Sequence, residues 1–212
     1  MTLDELGKIH QTDKSSLGHN YLQYYEMFFA PLKDKEISLC EIGVWEAASL
    51  NLWADYFDDA TIFGLDIEDK TKFDTFRITT QIVDQSNKEA LIAFGRQYDK
   101  RFNIFIDDGS HNSEDQILSF GILFQHMRPG GFYCIEDLIC AYDTDRWGAK
   151  ANVYDRIRQM VGEVSMNGKM SSHHICSNKR QEIHKYNTLN YFEKHIEYIF
   201  VSAGLCIIKK IE

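Results

Sequence analysis

The chain has 212 residues and a net charge of −9, with 44% hydrophobic and 26% charged residues. This length and composition predict one globular domain with a sizeable core. The acidic balance argues against binding to nucleic acid or to an anionic membrane, because both need a basic surface. The sequence shows no apolar run of bilayer length and no signal-peptide pattern. We therefore expect a cytoplasmic enzyme or binding protein.

The N-terminal part of the chain is typical of two helices joined by a polar loop. Residues 3–9 predict a short helix, and residues 21–32 carry aromatic side chains at helical spacing. The favoured interpretation of the second stretch is a helix packed across a sheet, and the alternative is an aromatic binding platform.

Five apolar runs of strand length alternate with helical patterns in the middle of the chain. The predicted strands cover residues 37–44, 61–69, 77–85, 103–108 and 131–138. This alternation predicts a parallel, doubly wound α/β sheet. Residues 151–164 predict a further helix. The C-terminal run 196–212 predicts two short strands joined at Ala203 and Gly204 in an antiparallel hairpin.

The five cysteines are odd in number and lack the spacing of metal fingers: Cys40, Cys134, Cys140, Cys176 and Cys206. Two of them, Cys40 and Cys134, lie inside apolar strand runs. We expect buried free thiols, which suit a reducing compartment.

Acidic side chains stand directly after two of the predicted strands. Asp107 and Asp108 follow one, Glu136 and Asp137 follow the other, and His111 comes three residues after Asp108. Ligand sites of open α/β sheets lie outside the carboxyl ends of the strands, so the four carboxylates should meet in one crevice. Carboxylates that close repel one another unless a cation joins them. The sequence predicts a small metal site with a histidine beside it.

The first predicted strand ends at Gly43 and is followed by a helix, the arrangement that sets a nucleotide against a helix N-terminus. Asp66 ends the second strand 23 residues later, close to the offset of an acid that meets ribose hydroxyls. Trp45 and Ala47 occupy positions where a dinucleotide fingerprint has glycines. This difference argues against NAD or FAD, because a pyrophosphate needs a close approach of the backbone.

The motif order EIGVWEAASL, GLDIED, DQS, FIDDGSH and PGGFYCIEDL resembles the Rossmann-like S-adenosylmethionine-dependent methyltransferases. More narrowly, it resembles the metal-dependent sugar O-methyltransferases of macrolide deoxysugar pathways, as does the N-terminal TDKSSLGHNYLQYYEMFF. The resemblance implies one methyltransferase domain over residues 1–212. Residues 1–36 would be a helical segment or lid, and residues 37–212 a Rossmann-like core with the closing antiparallel hairpin.

The resemblance also implies cofactor-binding residues at the strand ends: Glu41, Gly43, Asp66, Asp84, Gln85 and Asp107. Glu41 and Gly43 would lie against the methionine part of S-adenosylmethionine and Asp66 at its ribose hydroxyls. Asp84 and Gln85 would lie near the adenine.

For catalysis, the resemblance implies that Asp108, Glu136 and Asp137 bind Mg²⁺ or Mn²⁺ and that His111 is the general base. A divalent cation lowers the pKa of an alcohol, and a histidine can accept the released proton near neutral pH. Asp108 and His111 are therefore the predicted catalytic residues.

Plainer interpretations stay open. The strand-end acids could cap a helix or form a solvated turn, and His111 could be a structural histidine. Lys14 and His19 belong either to a lid over the cofactor or to an ordinary loop. Tyr142 and Trp147 could stack on a sugar ring or lie in a surface loop.

The sequence thus predicts a Mg²⁺-dependent O-methyltransferase that acts on a sugar hydroxyl, such as that of a rhamnose in a glycan or glycoside. The alternatives are a catechol-like small-molecule O-methyltransferase and a non-catalytic nucleoside-binding module on the same fold. The expected partner is a sugar or glycoside acceptor, with no nucleic acid and no membrane. A homo-oligomer stays open.

Overall fold

The computed structural model describes residues 1–143, 151–171 and 189–212. In these ranges seven strands form one sheet: β1 (Glu36–Ile42), β2 (Asp59–Asp66), β3 (Ile78–Ile82), β4 (Ile104–Asp107), β5 (Phe132–Ile135), β6 (Ile196–Ser202) and β7 (Leu205–Lys210). Their spatial order is β3-β2-β1-β4-β5-β7-β6. Neighbours from β3 to β5 are parallel, whereas β7 pairs antiparallel with both β5 and β6.

Helices cover both faces of the sheet. One face carries α1 (Leu3–Ile9), α2 (Leu22–Phe29) and α3 (Ala48–Tyr56). The other carries α4 (Lys88–Gln97), α5 (Ser113–His126), α6 (Val153–Ser171) and the short α7 (Tyr191–His195). The predicted doubly wound, mostly parallel sheet with a C-terminal antiparallel hairpin is confirmed. The assignment of the whole chain to one domain stays a prediction.

The two hydrophobic cores follow from the alternation of side chains along each strand. In β1, Leu39 packs beneath α1–α3 and its neighbour Cys40 packs beneath α4–α6. In β4, Ile106 and Phe105 divide between the faces in the same way. The same alternation decides to which side each strand-end acid points.

Side-chain caps fix where several helices begin. Thr2, Asn87 and Asn112 precede α1, α4 and α5, and each accepts a hydrogen bond from a backbone N–H of the first turn. Because Asn112 caps α5, the acids after β4 do not serve as its cap.

Several element boundaries differ from the sequence prediction, and strands β1 to β5 all end one to three residues before their predicted ends. β1 ends at Ile42 rather than at residue 44, because Gly43 takes a φ of 92° and turns the chain. The helix predicted over 151–164 runs further, to Ser171. The hairpin turn lies at Ala203 and Gly204, as predicted.

The described cysteines are free thiols, and Cys40, Cys134 and Cys206 are buried as expected, while Cys140 is partly exposed. Cys176 lies outside the described residues. None of the helices in the described ranges combines the length and the apolar character needed to cross a bilayer.

Lys210 at the end of β7 closes the C-terminus of α5. Its buried ammonium donates hydrogen bonds to the carbonyl oxygens of Phe124 at 2.9 Å, Gln125 at 3.2 Å and Met127 at 2.8 Å. The last carbonyls of a helix have no intrahelical donor and lie at the negative end of its dipole. Lys210 therefore donates hydrogen bonds to the carbonyls at the end of α5 and connects the β6–β7 hairpin to that helix.

We expect Lys210→Met to lower the free energy of unfolding by about 2–4 kcal/mol, because charged hydrogen bonds are lost and the buried Met127 carbonyl loses a donor. Urea denaturation measures this change. Lys72→Met is the matched control, since Lys72 is exposed and lies 3.8 Å from Glu46 in a surface ion pair. The control should change the free energy by less than about 0.5 kcal/mol. Equal effects of both variants would contradict the capping role.

Candidate functional site

A cleft of about 680 Å³ lies over the carboxyl ends of the parallel strands, at the switch point where β1 separates β2 from β4. Its lining includes seven of the predicted site residues: Gly43, Asp66, Asp84, Gln85, Asp108, His111 and Asp137. The remaining three, Glu41, Asp107 and Glu136, are buried behind its wall.

Gly43 brings the loop after β1 against the loop after β4. Its backbone N–H donates to the carbonyl of Leu65 at 2.8 Å, and a Cβ at this position would overlap the carbonyl oxygen of Asp108. Asp108 in turn donates its N–H to the carbonyl of Ile42 at 3.0 Å. Only glycine allows this close approach together with a φ of 92°.

Left-handed backbone recurs around the cleft at residues other than glycine. Trp45, Ala47, His111 and Asp137 have φ values of 47°, 60°, 56° and 52°. Such conformations are costly for Trp and Ala, are more readily adopted by His and Asp, and concentrate at functional sites. Trp45 and Ala47 thus adopt the left-handed backbone conformation that glycine would adopt more readily. The loop can therefore keep this conformation without the glycines of a dinucleotide fingerprint.

Asp66 bridges the first two loops. Its carboxylate accepts hydrogen bonds from the N–H groups of Val44 at 2.9 Å, Trp45 at 3.4 Å and Glu68 at 2.9 Å. Asp66 thereby holds the β1 loop in place while its carboxylate faces the cleft wall. Its contact with a ribose stays a prediction.

Gln85 and Asp107 form a buried network behind the FIDDGSH loop. The Gln85 amide donates to Asp107 at 2.7 Å and to Ser119 at 3.2 Å, and its oxygen accepts from the N–H of Ser110 at 2.9 Å. Asp107 also accepts from Ser119 and from the Tyr133 hydroxyl. Burial raises the pKa of Asp107 to about 6. The network anchors the loop, and cofactor binding by Asp107 stays a prediction.

Three residues of the cleft form a cluster with the geometry of a metal site. Ligand atoms of Asp108, His111 and Asp137 all lie within 4.8 Å of one another. His111 Nδ1 is 4.0 Å from Asp108 Oδ1, and its Nε2 is 3.7 Å from Asp137 Oδ2. The two carboxylates offer the oxygen ligands that a divalent cation such as Mg²⁺ or Mn²⁺ prefers, and the imidazole lies beside them.

Lys14 lies beneath this cluster, fully buried among carboxylates from three neighbouring strand ends. Its ammonium bonds to Asp108, lies 2.8 Å from Glu136 Oε2 and 3.3 Å from Glu41 Oε1. Burial alone would lower the pKa of Lys14, but the three carboxylates together raise it well above its usual value. One cation thus faces three acids, with Asp137 close by. Burial and the neighbouring acids raise the pKa of Glu41 and raise that of Glu136 well above its usual value, although Lys14 opposes both shifts.

Glu136 and Glu41 are held by other side chains. Glu136 accepts from Lys14 and, at 2.6 Å, from the Tyr25 hydroxyl, while Glu41 accepts from the Trp53 indole at 2.7 Å. Glu136 therefore lies beside the Asp108–His111–Asp137 cluster rather than in it. Its role as a metal ligand, like that of Glu41 at the methionine, stays a prediction.

The remaining sequence candidates lie at the surface. His19 is exposed and stacks on Tyr21 at 5.3 Å between ring centroids, and exposed Tyr142 packs on Tyr154 at 4.8 Å. Trp147 lies outside the described residues.

Comparison with known proteins extends these observations. No protein-family model matches the chain. Demethylmacrocin O-methyltransferase of Streptomyces fradiae is 40% identical over 147 residues, which are 66% of this chain and 37% of that protein. A rhamnosyl tetracenomycin-C 2′-O-methyltransferase of Streptomyces olivaceus is 35% identical over 153 residues, covering 69% and 39%. The chain thus spans less than two fifths of the length of these curated relatives.

A solved structure resembles the whole chain. The MycE methyltransferase of the mycinamycin pathway, solved with Mg and SAH, aligns with a TM-score of 0.86 and 28% identity over 100% of this chain and 55% of MycE. The chain is a homologue of the sugar O-methyltransferases. The resemblance that the sequence motifs indicated is confirmed.

In this methyltransferase homologue, sequence reasoning missed the residues that support the acids. Lys14 belongs by its sequence either to a lid or to a loop, the aromatic stretch 21–32 favours a packed helix over a binding platform, and no pattern singles out Trp53. The one available signal was the N-terminal TDK segment, because it shares the resemblance to the family although it precedes the first strand.

Gly43→Ala should lower the free energy of unfolding by about 2–4 kcal/mol, because the new methyl group meets the Asp108 carbonyl and the positive φ becomes strained. Gly121→Ala is the control: Gly121 lies inside α5, and a Cβ there meets nothing within 4 Å. That change should raise stability by about 0.5–1 kcal/mol. Chemical denaturation measures both, and a harmless Gly43→Ala would disprove the tight contact between the loops.

Proposed function

We propose that the chain is a Mg²⁺-dependent O-methyltransferase that transfers a methyl group from S-adenosylmethionine to a sugar hydroxyl. The observation that carries the proposal is the Asp108–His111–Asp137 cluster, which opens into a cleft at the sheet's switch point in a homologue of sugar O-methyltransferases.

The cofactor would bind along the loops after β1, β2 and β3. The volume of about 680 Å³ lies within the range of small-molecule pockets. The Gly43 turn and the Asp66 carboxylate stand at the wall where the methionine and ribose portions would lie, and Asp84 and Gln85 would lie near the adenine. MycE was solved in complex with SAH, which supports the choice of cofactor.

Asp108 and Asp137 would hold the divalent cation, since each directs one carboxylate oxygen toward His111. Glu136 is the third proposed ligand, and its carboxylate would have to turn from Lys14 to reach the ion. A bound divalent cation supplies Lewis acidity, which lowers the pKa of an alcohol.

His111 would act as general base and accept the proton that the acceptor hydroxyl loses as the new C–O bond forms. Its Nε2 lies 3.7 Å from Asp137 Oδ2, at the edge of the proposed cation site. The cleft thus places a proton acceptor next to the proposed cation, and the protein contributes orientation rather than new bonds.

We further propose that the acceptor is a deoxyhexose such as rhamnose in a glycan or glycoside, and that the protein acts in the cytoplasm without binding nucleic acid. The tetracenomycin relative is named for a rhamnosyl substrate, and MycE was solved with Mycinamycin VI. The buried free thiols are consistent with a reducing compartment.

The chain should produce S-adenosylhomocysteine from S-adenosylmethionine and a rhamnoside when Mg²⁺ or Mn²⁺ is present, and EDTA should abolish this activity. Asp137→Asn should reduce turnover at least about 100-fold, since it removes a charged ligand. Turnover is followed by mass spectrometry of the methylated sugar.

The same assay separates the alternatives. Turnover with catechols but not with rhamnosides would replace the sugar by a phenolic acceptor. Binding of S-adenosylhomocysteine in calorimetry without turnover on any acceptor would leave a nucleoside-binding module. Full turnover in EDTA would remove the metal from the proposal.

His111→Ala should lower kcat by about 10²–10⁴-fold while the affinity for S-adenosylhomocysteine stays nearly unchanged, because general-base catalysis contributes that much. His126→Ala is a control, since His126 pairs with Asp99 at 2.8 Å, away from the cleft. A His111→Ala enzyme that keeps more than about a tenth of wild-type kcat would exclude His111 as the base.

A further inference from the structure

The segment between α1 and α2 lies over the strand ends and is braced from within. His19 and Asn20 donate backbone hydrogen bonds to the carbonyls of Asp13 at 2.6 Å and Ser15 at 2.9 Å. Ser16 donates to the Asp4 carboxylate from its N–H at 2.7 Å and from its hydroxyl at 2.9 Å. The segment ends at Tyr21, the residue that precedes α2. Side chains carried by such a braced loop are held in fixed positions.

Tyr21 reaches one of the two acids of the cluster. Its hydroxyl donates to Asp137 Oδ1 at 2.8 Å, while Asp137 Oδ2 faces His111 Nε2 at 3.7 Å. The two oxygens of this carboxylate therefore have different partners, and the one turned toward the cluster is fixed by the bond to the other.

The position of the Tyr21 hydroxyl is set by the β6–β7 turn. Tyr21 is 2% exposed, and a Cβ at Gly204 would overlap its hydroxyl oxygen. The carbonyl of Gly204 accepts a hydrogen bond from the N–H of Leu138 at 3.0 Å, directly after Asp137. The hydroxyl is thus enclosed between the turn and the carboxylate that it orients.

The two carboxylate oxygens of Asp108 also have different partners. Its Oδ2 bonds to Lys14 of the same segment, and its Oδ1 faces His111 Nδ1 at 4.0 Å. Both acids of the cluster have one oxygen bonded to the α1–α2 segment and the other facing His111, beside which the cation is proposed to bind. Partners of this kind orient ligands before the ion arrives.

We infer that Tyr21 is a positioning residue of the proposed cation site, acting through Asp137. This inference rests on the proposed function, because it assumes that the cluster binds a divalent cation. It deepens that proposal by adding a residue outside the sheet whose hydroxyl contributes to metal affinity without touching the ion.

The test compares Tyr21→Phe with Tyr24→Phe. Both remove one hydroxyl and keep the ring, but Tyr24 packs on Phe200 at 5.3 Å between ring centroids, away from the cluster. Affinity for Mn²⁺ is measured from the electron paramagnetic resonance signal of the free ion. Thermal midpoints and affinity for S-adenosylhomocysteine are measured on the same samples.

Tyr21→Phe should weaken Mn²⁺ binding by about 10–100-fold, the usual effect of losing such a partner. Its thermal midpoint and its affinity for S-adenosylhomocysteine should stay near those of the wild type, and Tyr24→Phe should match the wild type throughout. Wild-type Mn²⁺ affinity in Tyr21→Phe would overturn the inference and leave the proposed function standing. A parallel fall of all three quantities would show a structural role and also overturn it. A wild-type protein that binds no Mn²⁺ would refute the metal in the proposed function, and the inference with it.

Discussion

The structure depends on one buried ammonium among carboxylates. Lys14 contacts Glu41, Asp108 and Glu136, which stand at the ends of three adjacent strands. Glu41 and Glu136 are buried, and a buried charge without a partner is strongly unfavourable. Lys14 therefore allows several acids to gather at one edge of the sheet, and it fixes the α1–α2 segment above them.

Backbone geometry supplies the second constraint on the site. The β1 loop lies so close to the loop that carries His111 that any side chain at Gly43 would overlap the carbonyl oxygen of Asp108. His111 and Asp137 both take left-handed backbone conformations, which Asp and His adopt more readily than most residue types other than glycine. The close approach of the two loops thus shapes the cluster and sets the directions of its side chains.

Local patterns predicted the sheet, the helices and the crevice, because hydrophobic periodicity and the switch-point rule act over short stretches of sequence. The side to which each acidic side chain points was harder to predict from the sequence. Strand alternation turns Asp107 toward α5 and Glu136 toward Tyr25 of α2, so the second acid of each pair faces the cleft. The supporting contacts of Lys14 and Tyr21 span 94 and 116 residues, and no local pattern encodes a pairing at that distance.

The contact between Tyr21 and the β6–β7 turn has a consequence for synthesis on the ribosome. The turn at Gly204 is translated long after Asp108 and Asp137, yet it encloses the hydroxyl that orients Asp137. A nascent chain that stops short of β7 also leaves β5 without its antiparallel neighbour. The Tyr21 hydroxyl can therefore be enclosed only after the β6–β7 turn has been synthesised.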